Sequence, residues 1–367
     1  MEILYHALIY TLDPQRPTAS ALAIDRGRIL AVGSDYEILS RFSGSPQSQL
    51  TYLGGRVVIP GLTDAHIHLE HYALSLQKVD CETPTRQECL ERVAERARHI
   101  PPGAWILGHG WNHNSWIEPG ETEGRFGSAA ELEAVAPNNP VYLTAKSLHA
   151  GWANSAALRL ANLNSASPDP EGGRLGRDSH GNPDGILFES AMELMTPIIP
   201  EPSAEEVAQA IQAAQAGLWR MGLTGVHDFD RRRCFMALQA LHQSGKLRLR
   251  VVKSLPWDDL PQAAALGLHT GFGDDFLRIG SVKAFADGAL GPNTAAMLQP
   301  YEGSAGNRGM LLLDAEDLYE GGRLAVDSGL SLAVHAIGDR ANHEVLDAFA
   351  HLREYEQQTR KPGRTNE

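Results

Sequence analysis

The sequence contains little cysteine. Its three cysteines, Cys81, Cys89 and Cys234, are odd in number and show no C-x-x-C spacing. The odd number and the absence of this spacing argue against a disulfide framework and against a zinc–thiolate site. We therefore expect reduced thiols, as is usual in the cytosol.

Long apolar runs and an excess of positive charge are also missing. No stretch of 18 apolar residues exists, and the first residues lack the pattern of a signal peptide. Lys and Arg number 32 against 45 Asp and Glu, which gives a net charge of −13. An acidic surface does not suit nucleic acid or a membrane surface. We expect a cytoplasmic protein without either partner, and self-assembly into a homo-oligomer stays open.

The chain of 367 residues has room for one large domain and a smaller one. Residues 1–59 show short alternating strands separated by turn residues, which predicts part of a small β-sandwich. Residues 60–367 form the second predicted domain. Within it, an irregular stretch at about 101–200 is rich in Gly, Pro, Asn and Trp, and we interpret it as an insertion.

Strands alternate with helices after residue 200, which predicts a parallel α/β sheet. If the apolar run at 57–59 is counted as the first strand, buried on both faces, the chain holds five β/α units. A closed (β/α)8 TIM-type barrel needs eight. The pattern thus fits either an incomplete barrel of about five units or an open doubly wound sheet.

Two histidines follow the first predicted strand. His66 and His68 are two residues apart, so a strand would present both imidazoles on one face. Two neutral imidazoles facing one point make half of a divalent metal site. A hydrogen-bonded structural pair is the alternative.

Lys283 and His335 lie in later strands. A lysine inside an apolar strand is costly unless its charge is removed or paired. Carboxylation of the amine to a carbamate would remove the charge, whereas a salt bridge to Asp287 or a path along the strand end to solvent would accommodate it. His335 ends its strand, where polar residues of barrels are more often catalytic than structural.

Three segments resemble the amidohydrolase superfamily, and most of all its amidohydrolase-3 branch, which includes N-substituted formamide deformylases. They are residues 61–68 (GLTDAHIH), 282–291 (VKAFADGALG) and 334–342 (VHAIGDRAN). The insertion is similar to that branch as well, at residues 108–112 (GHGWN) and 149–158 (HAGWANSAAL).

The resemblance implies roles for the candidate residues. His66 and His68 match metal ligands of the first barrel strand, Lys283 matches the lysine that is carboxylated in binuclear members, and His335 matches a histidine ligand of the fifth strand. One or two divalent ions, zinc above all, are the implied cofactor. We further expect Trp111, His149 and Asp287 to contact a small amide-like substrate.

The family pattern also includes a histidine on strand six and an aspartate on strand eight, which serves as general acid and base. Neither has a counterpart before residue 367. We therefore expect a chain truncated at its C-terminus, without an assignable general acid or base, that is not a competent hydrolase by itself.

The resemblance implies hydrolysis of carbon–nitrogen bonds other than peptide bonds, in amides of N-formyl or N-acyl amine type, by a metal-activated water. Alternatives are an inactive remnant that binds metal or ligand, and a ring deaminase of the same superfamily. A metal-free nucleotide-binding protein is a third alternative, although no G-x-G-x-x-G follows a predicted strand.

Overall fold

The computed structural model describes residues 1–44, 47–117 and 124–359. The strands in this part of the chain are, in order, β1 (Glu2–Tyr5), β2 (Leu8–Tyr10), β3 (Thr18–Ala19), β4 (Ala21–Asp25), β5 (Arg28–Gly33), β6 (Gln49–Tyr52), β7 (Val57–Val58), β8 (Leu62–Ile67), β9 (Val79–Asp80), β10 (Ile106–Trp111), β11 (Val141–Ala145), β12 (Ala150–Ala153), β13 (Gly173–Arg177), β14 (Pro183–Glu189), β15 (Leu223–Asp228), β16 (Arg250–Pro256), β17 (Leu277–Phe285) and β18 (Ser331–His335).

The α-helices of the same residues are α1 (Asp35–Phe42), α2 (Leu69–Ser75), α3 (Arg86–Arg98), α4 (Ala129–Val135), α5 (Ser155–Leu160), α6 (Ala204–Arg220), α7 (Arg232–Gln243), α8 (Leu260–Ala265), α9 (Ala315–Ser328) and α10 (Asp339–Thr359). Three 3₁₀ segments join them, at His113–Ser115, Ser190–Ile198 and Trp257–Asp259. None of the helices described here is both long and apolar enough to cross a bilayer.

By its contacts the chain divides into two compact units. One comprises Met1–Asp64 with Leu218–Val226, and the other comprises Ala65–Gly217 with His227–Glu367. The domain boundaries inferred from sequence, 1–59 and 60–367, stay a prediction.

The first unit contains a sheet in the order β5-β4-β1-β6 and a smaller one in the order β3-β2-β7. Strands β4 and β5 are two of the short strands predicted within residues 1–59, and they meet at a tight turn in which Arg26 and Gly27 both have positive φ. Helix α1 covers this sheet and buries Ile38 against Ile3. That the two sheets form a sandwich stays a prediction.

The apolar run at 57–59 is not the first strand of the large parallel sheet, and this prediction was wrong. Val57 and Val58 pair with β2 in the smaller sheet, and Val57 and Ile59 are exposed rather than buried. Pro60 has no N–H to donate to a ladder, so the chain starts a new strand, β8, at Leu62.

The stretch at 101–200 is more regular than its composition suggests. With β9, its strands form a six-stranded sheet in the order β13-β14-β12-β11-β10-β9, with parallel and antiparallel pairs. Its core holds three buried indoles, those of Trp111, Trp116 and Trp152. Strands of four to seven residues interrupted by glycine give little periodic signal, so this sheet was missed.

A five-stranded sheet in the order β18-β17-β16-β15-β8 follows chain order from one edge to the other. Strand β17 pairs in parallel with both β16 and β18. The predicted mixed α/β class and the alternation after residue 200 are therefore confirmed. Helix α7 is one of the helices of this alternation, and Ser203 and Glu206 form a capping box at the start of α6.

Candidate functional site

Two imidazoles lie at the end of β8. His66 belongs to the strand, and His68 follows it directly, at the start of α2. Their ring centroids are 5.8 Å apart, and the ring of Phe229 packs 4.3 Å from that of His66. The spacing of two residues thus brings both imidazoles to the same place.

Lys283 and His335 lie on the neighbouring strands β17 and β18. The Lys283 Nζ atom is 5.4 Å from the ring centroid of Phe229 and 4.8 Å from that of Phe285. The Phe285 ring lies 5.2 Å from the His335 ring, and the two residues are partners in the strand ladder. Contacts through the Phe229 and Phe285 rings therefore connect the four candidate ligands. We call this series of contacts, from His68 through His66 and Lys283 to His335, the row.

The row does not place the four donor atoms around one point. Among the described residues, the one group of three His, Cys, Asp or Glu side chains with donor atoms within 4.8 Å of one another is Asp228, Asp230 and Cys234. The rings of Phe229 and Phe285 stand between the candidate ligands instead. A shared metal centre would require a closer approach, so the common centre stays a prediction.

A buried carboxylate fixes the His68 imidazole. Its Nδ1 atom is 3.0 Å from Oδ1 of Asp230, which is only 3% exposed. The other oxygen, Oδ2, accepts the Glu70 N–H at 2.6 Å. Burial and the neighbouring Asp228 charge raise the pKa of Asp230. A neutral His68 that donates from Nδ1 keeps Nε2 free as a metal ligand.

Lys253 pairs with the neighbouring buried carboxylate, that of Asp228. Its ammonium is fully buried, lies 2.8 Å from Oδ2 of Asp228, and donates to the carbonyl oxygen of Asp230. Asp228 Oδ1 accepts the Leu69 N–H at 3.0 Å, and burial raises the pKa of the nearby Cys234 thiol. Lys253 thus supplies the positive charge beside Asp228. We therefore interpret the group of Asp228, Asp230 and Cys234 as a structural network.

Sequence reasoning missed Lys253 and Asp230. Lys253 is a lysine inside an apolar strand, the same signal that singled out Lys283. The contacts of Asp228 are those of a structural group. Asp230 lies past the end of β15, where no periodicity marks it.

Lys283 carries no ion pair among the residues that the structure describes. It is 9% exposed, and burial lowers the pKa of its amine. The salt bridge to Asp287 that was considered from sequence does not form. A buried amine without an anionic partner favours its neutral form, which is the form that reacts with carbon dioxide.

Asp287 is instead part of the loop after β17. Its carboxylate is buried and accepts three backbone N–H groups, from Ala296, Ile337 and Gly338, at 2.7–3.0 Å. His335 Nε2 lies 2.8 Å from the Gly288 carbonyl oxygen, to which it donates. The His335 Nδ1 atom is then the nitrogen with a free lone pair.

The other two predicted substrate contacts belong to the inserted sheet. Trp111 is buried and donates its Nε1–H to the Leu143 carbonyl oxygen at 2.9 Å. His149 is exposed, with Nδ1 2.8 Å from Oε2 of Glu189. The contacts of Trp111 are those of a core residue. Substrate binding by Trp111, His149 and Asp287 stays a prediction.

Comparison with known proteins gives a consistent family. The model of the Amidohydrolase family matches residues 52–365. Protein LONG AFTER FAR-RED 3 of Arabidopsis thaliana is 34% identical over 354 residues, 93% of this chain and 59% of that protein. N-substituted formamide deformylase of Arthrobacter pascens is 31% identical over 365 residues, 96% of this chain and 66% of that protein.

A solved structure is similar as well. An uncharacterized metal-dependent hydrolase from Pyrococcus furiosus superimposes with a TM-score of 0.75 at 29% identity, over 96% of this chain and 70% of that one. The chain therefore spans between 59% and 70% of the length of the relatives named above. A family match over most of the chain, with the histidine pair and the buried lysine on the strands of one sheet, leads to one conclusion: this chain belongs to the amidohydrolase family.

Proposed function

We propose that the protein is a metal-dependent hydrolase of carbon–nitrogen bonds other than peptide bonds, with amides of N-formyl or N-acyl amine type as substrates. The observation that carries the proposal is the His68 imidazole, held by the buried Asp230 carboxylate beside His66 and in a row with Lys283. The names of the Arthrobacter and Pyrococcus relatives support it. In this proposal the five-stranded sheet is part of a (β/α)8 barrel.

The residues of the row suit a divalent ion, zinc above all. Imidazole nitrogens are preferred zinc ligands, and the carboxylate behind His68 is the partner that such ligands usually have. His66, His68, His335 and a carboxylated Lys283 would hold one or two ions. A bound ion supplies the chemistry of the reaction, since it lowers the pKa of a water molecule and polarises the amide carbonyl.

The side chains around the site prepare it in distinct ways. Asp230 keeps the Nδ1 proton of His68 in place, so that Nε2 is the ligand atom. The buried Lys283 amine is disposed to lose a proton and form a carbamate with carbon dioxide, which turns a cation into an anionic ligand. Phe229 and Phe285 shield that amine from water.

The test combines metal analysis with turnover. Wild-type protein and the double variant His66→Ala/His68→Ala are purified, loaded with zinc, and examined by elemental analysis. Zinc should be bound by the wild type and lost in the double variant. His99→Ala/His180→Ala, which removes two exposed histidines elsewhere, is the matched control and should keep its zinc.

Equal zinc in the wild type and the His66/His68 variant would contradict the proposal. An assay with N-formyl and N-acyl amines, run on the same samples, separates a hydrolase from a protein that only binds metal. Ammonia release from an aromatic ring, without amide cleavage, would indicate a deaminase instead.

A further inference from the structure

A cavity of about 240 Å³ opens beside Lys283. Three aromatic side chains, Phe229, Trp257 and Phe285, form much of its wall. Its volume equals that of about eight water molecules at about 30 Å³ each. A single aromatic ring with a short substituent fits such a space.

The aromatic wall is built into the fold. Trp257 follows β16, and a Cβ atom on Gly321 of α9 would lie only 2.4 Å from its Cζ2 atom. Glycine inside a helix costs about 1 kcal/mol relative to alanine. Gly321 therefore lowers the stability of α9 but leaves space for the Trp257 indole. Phe285, which lines the same cavity, is 46% exposed.

Two charged side chains line the same cavity, and neither has a partner. Within residues 1–44, 47–117 and 124–359, Arg231 and Asp258 make no ion pair or side-chain hydrogen bond, not even with each other. The planar guanidinium fork of Arg231 matches the geometry of a carboxylate.

We propose that this cavity is the substrate pocket, and that it takes a flat apolar group whose carboxylate pairs with Arg231. The inference rests on the proposed function for the bond that is cleaved. It adds the substrate class: an amide that carries an aromatic or similarly planar group together with a carboxylate. Asp258 stands at the same cavity and disfavours a second anionic group there.

Calorimetric titration of the metal-free 367-residue chain tests the pocket with three probes of similar size: phenylacetate, benzyl alcohol and benzylammonium. Phenylacetate should bind most tightly. The substitution Arg231→Gln should weaken the binding of phenylacetate about two- to five-fold, as expected for an exposed charged pair, and leave the binding of benzyl alcohol unchanged. Arg232→Gln removes the adjacent exposed arginine, which does not line the cavity, and should change neither.

A second variant tests the aromatic wall. Phe285→Ala removes a half-exposed ring and should weaken phenylacetate and benzyl alcohol alike, because it acts on the apolar group. Thermal unfolding is measured for each variant to check that the variant is folded.

The inference is overturned if benzylammonium binds as tightly as phenylacetate, or if Arg231→Gln and Arg232→Gln behave alike. Because the titration uses no metal, its result is separate from that of the proposed function. Normal zinc uptake and amide turnover with no preference for phenylacetate would refute the pocket alone. Binding of phenylacetate through Arg231 by a protein that takes up no zinc would refute the hydrolase alone.

Discussion

Asp230 decides how the His68 imidazole is held, since it is the buried acceptor of the Nδ1 proton. Replacing Asp230 by Asn keeps the size of the side chain but removes the charge. The affinity for zinc should fall about 10–100-fold, the usual effect of losing such a carboxylate behind a histidine ligand. Competition with a coloured chelator measures it, and Asp347→Asn, at an exposed position of α10, is the control. An unchanged affinity would mean that Asp230 does not orient a ligand.

Lys283 is costly to the fold when it carries a proton, because its ammonium is buried without an anion. In the metal-free protein, Lys283→Met should therefore raise the free energy of unfolding by about 1 kcal/mol. Urea unfolding at neutral pH measures the change, with the exposed Lys78→Met as the control. A loss of stability would show that the amine has a stabilising partner.

At the scale of elements, Lys253 joins β16 to the end of β15 through Asp228. Lys253→Met leaves the buried Asp228 carboxylate without its cation. Removing one partner of a buried pair typically costs about 3–5 kcal/mol, and we expect that loss in urea unfolding. The double variant Lys253→Met/Asp228→Asn should recover part of it. If the double variant is as unstable as the single one, the two side chains are not coupled.

The regular elements after residue 200 could be predicted because their periodicity is long and clear. Helix α7 and strand β17 belong to the predicted alternation of helices and strands. The inserted sheet could not, since its strands are short and its cross-strand pairs are set by contacts distant in sequence. The sheet of the apolar run at Val57–Val58 was predicted wrongly for a related reason. Pairing with β2, and not composition, determines which sheet this strand joins.

The candidate site was predictable in part for the same reasons. His66, His68, Lys283 and His335 are marked by their positions at strand ends or inside apolar strands. The aromatic rings between them have no such mark, because phenylalanine in a strand is ordinary. Their place in the row depends on the twist and pairing of strands, which a single sequence does not give.

For the whole molecule, zinc bound to the folded state should stabilise that state against heat. With free zinc at about 100 times its dissociation constant, the stabilisation is about 2.7 kcal/mol. We expect the unfolding temperature to rise by a few degrees in a scanning fluorescence experiment. The rise should disappear in His66→Ala/His68→Ala and persist in His99→Ala/His180→Ala. A rise of equal size in both double variants would place zinc elsewhere on this acidic chain.

The adjacent glycines of α9 limit how this protein can be made more robust. Exchanging helical glycine for alanine is a common route to heat resistance. Here a methyl group at Gly321 would collide with the Trp257 indole, and one at Gly322 would lie 2.5 Å from a Leu352 methyl group. Directed evolution for heat resistance should therefore leave both positions untouched, or change them together with Trp257 and Leu352. An exchange at Trp257 would reshape the cavity beside Lys283, so that selection for heat resistance would also change which ligands the cavity accepts.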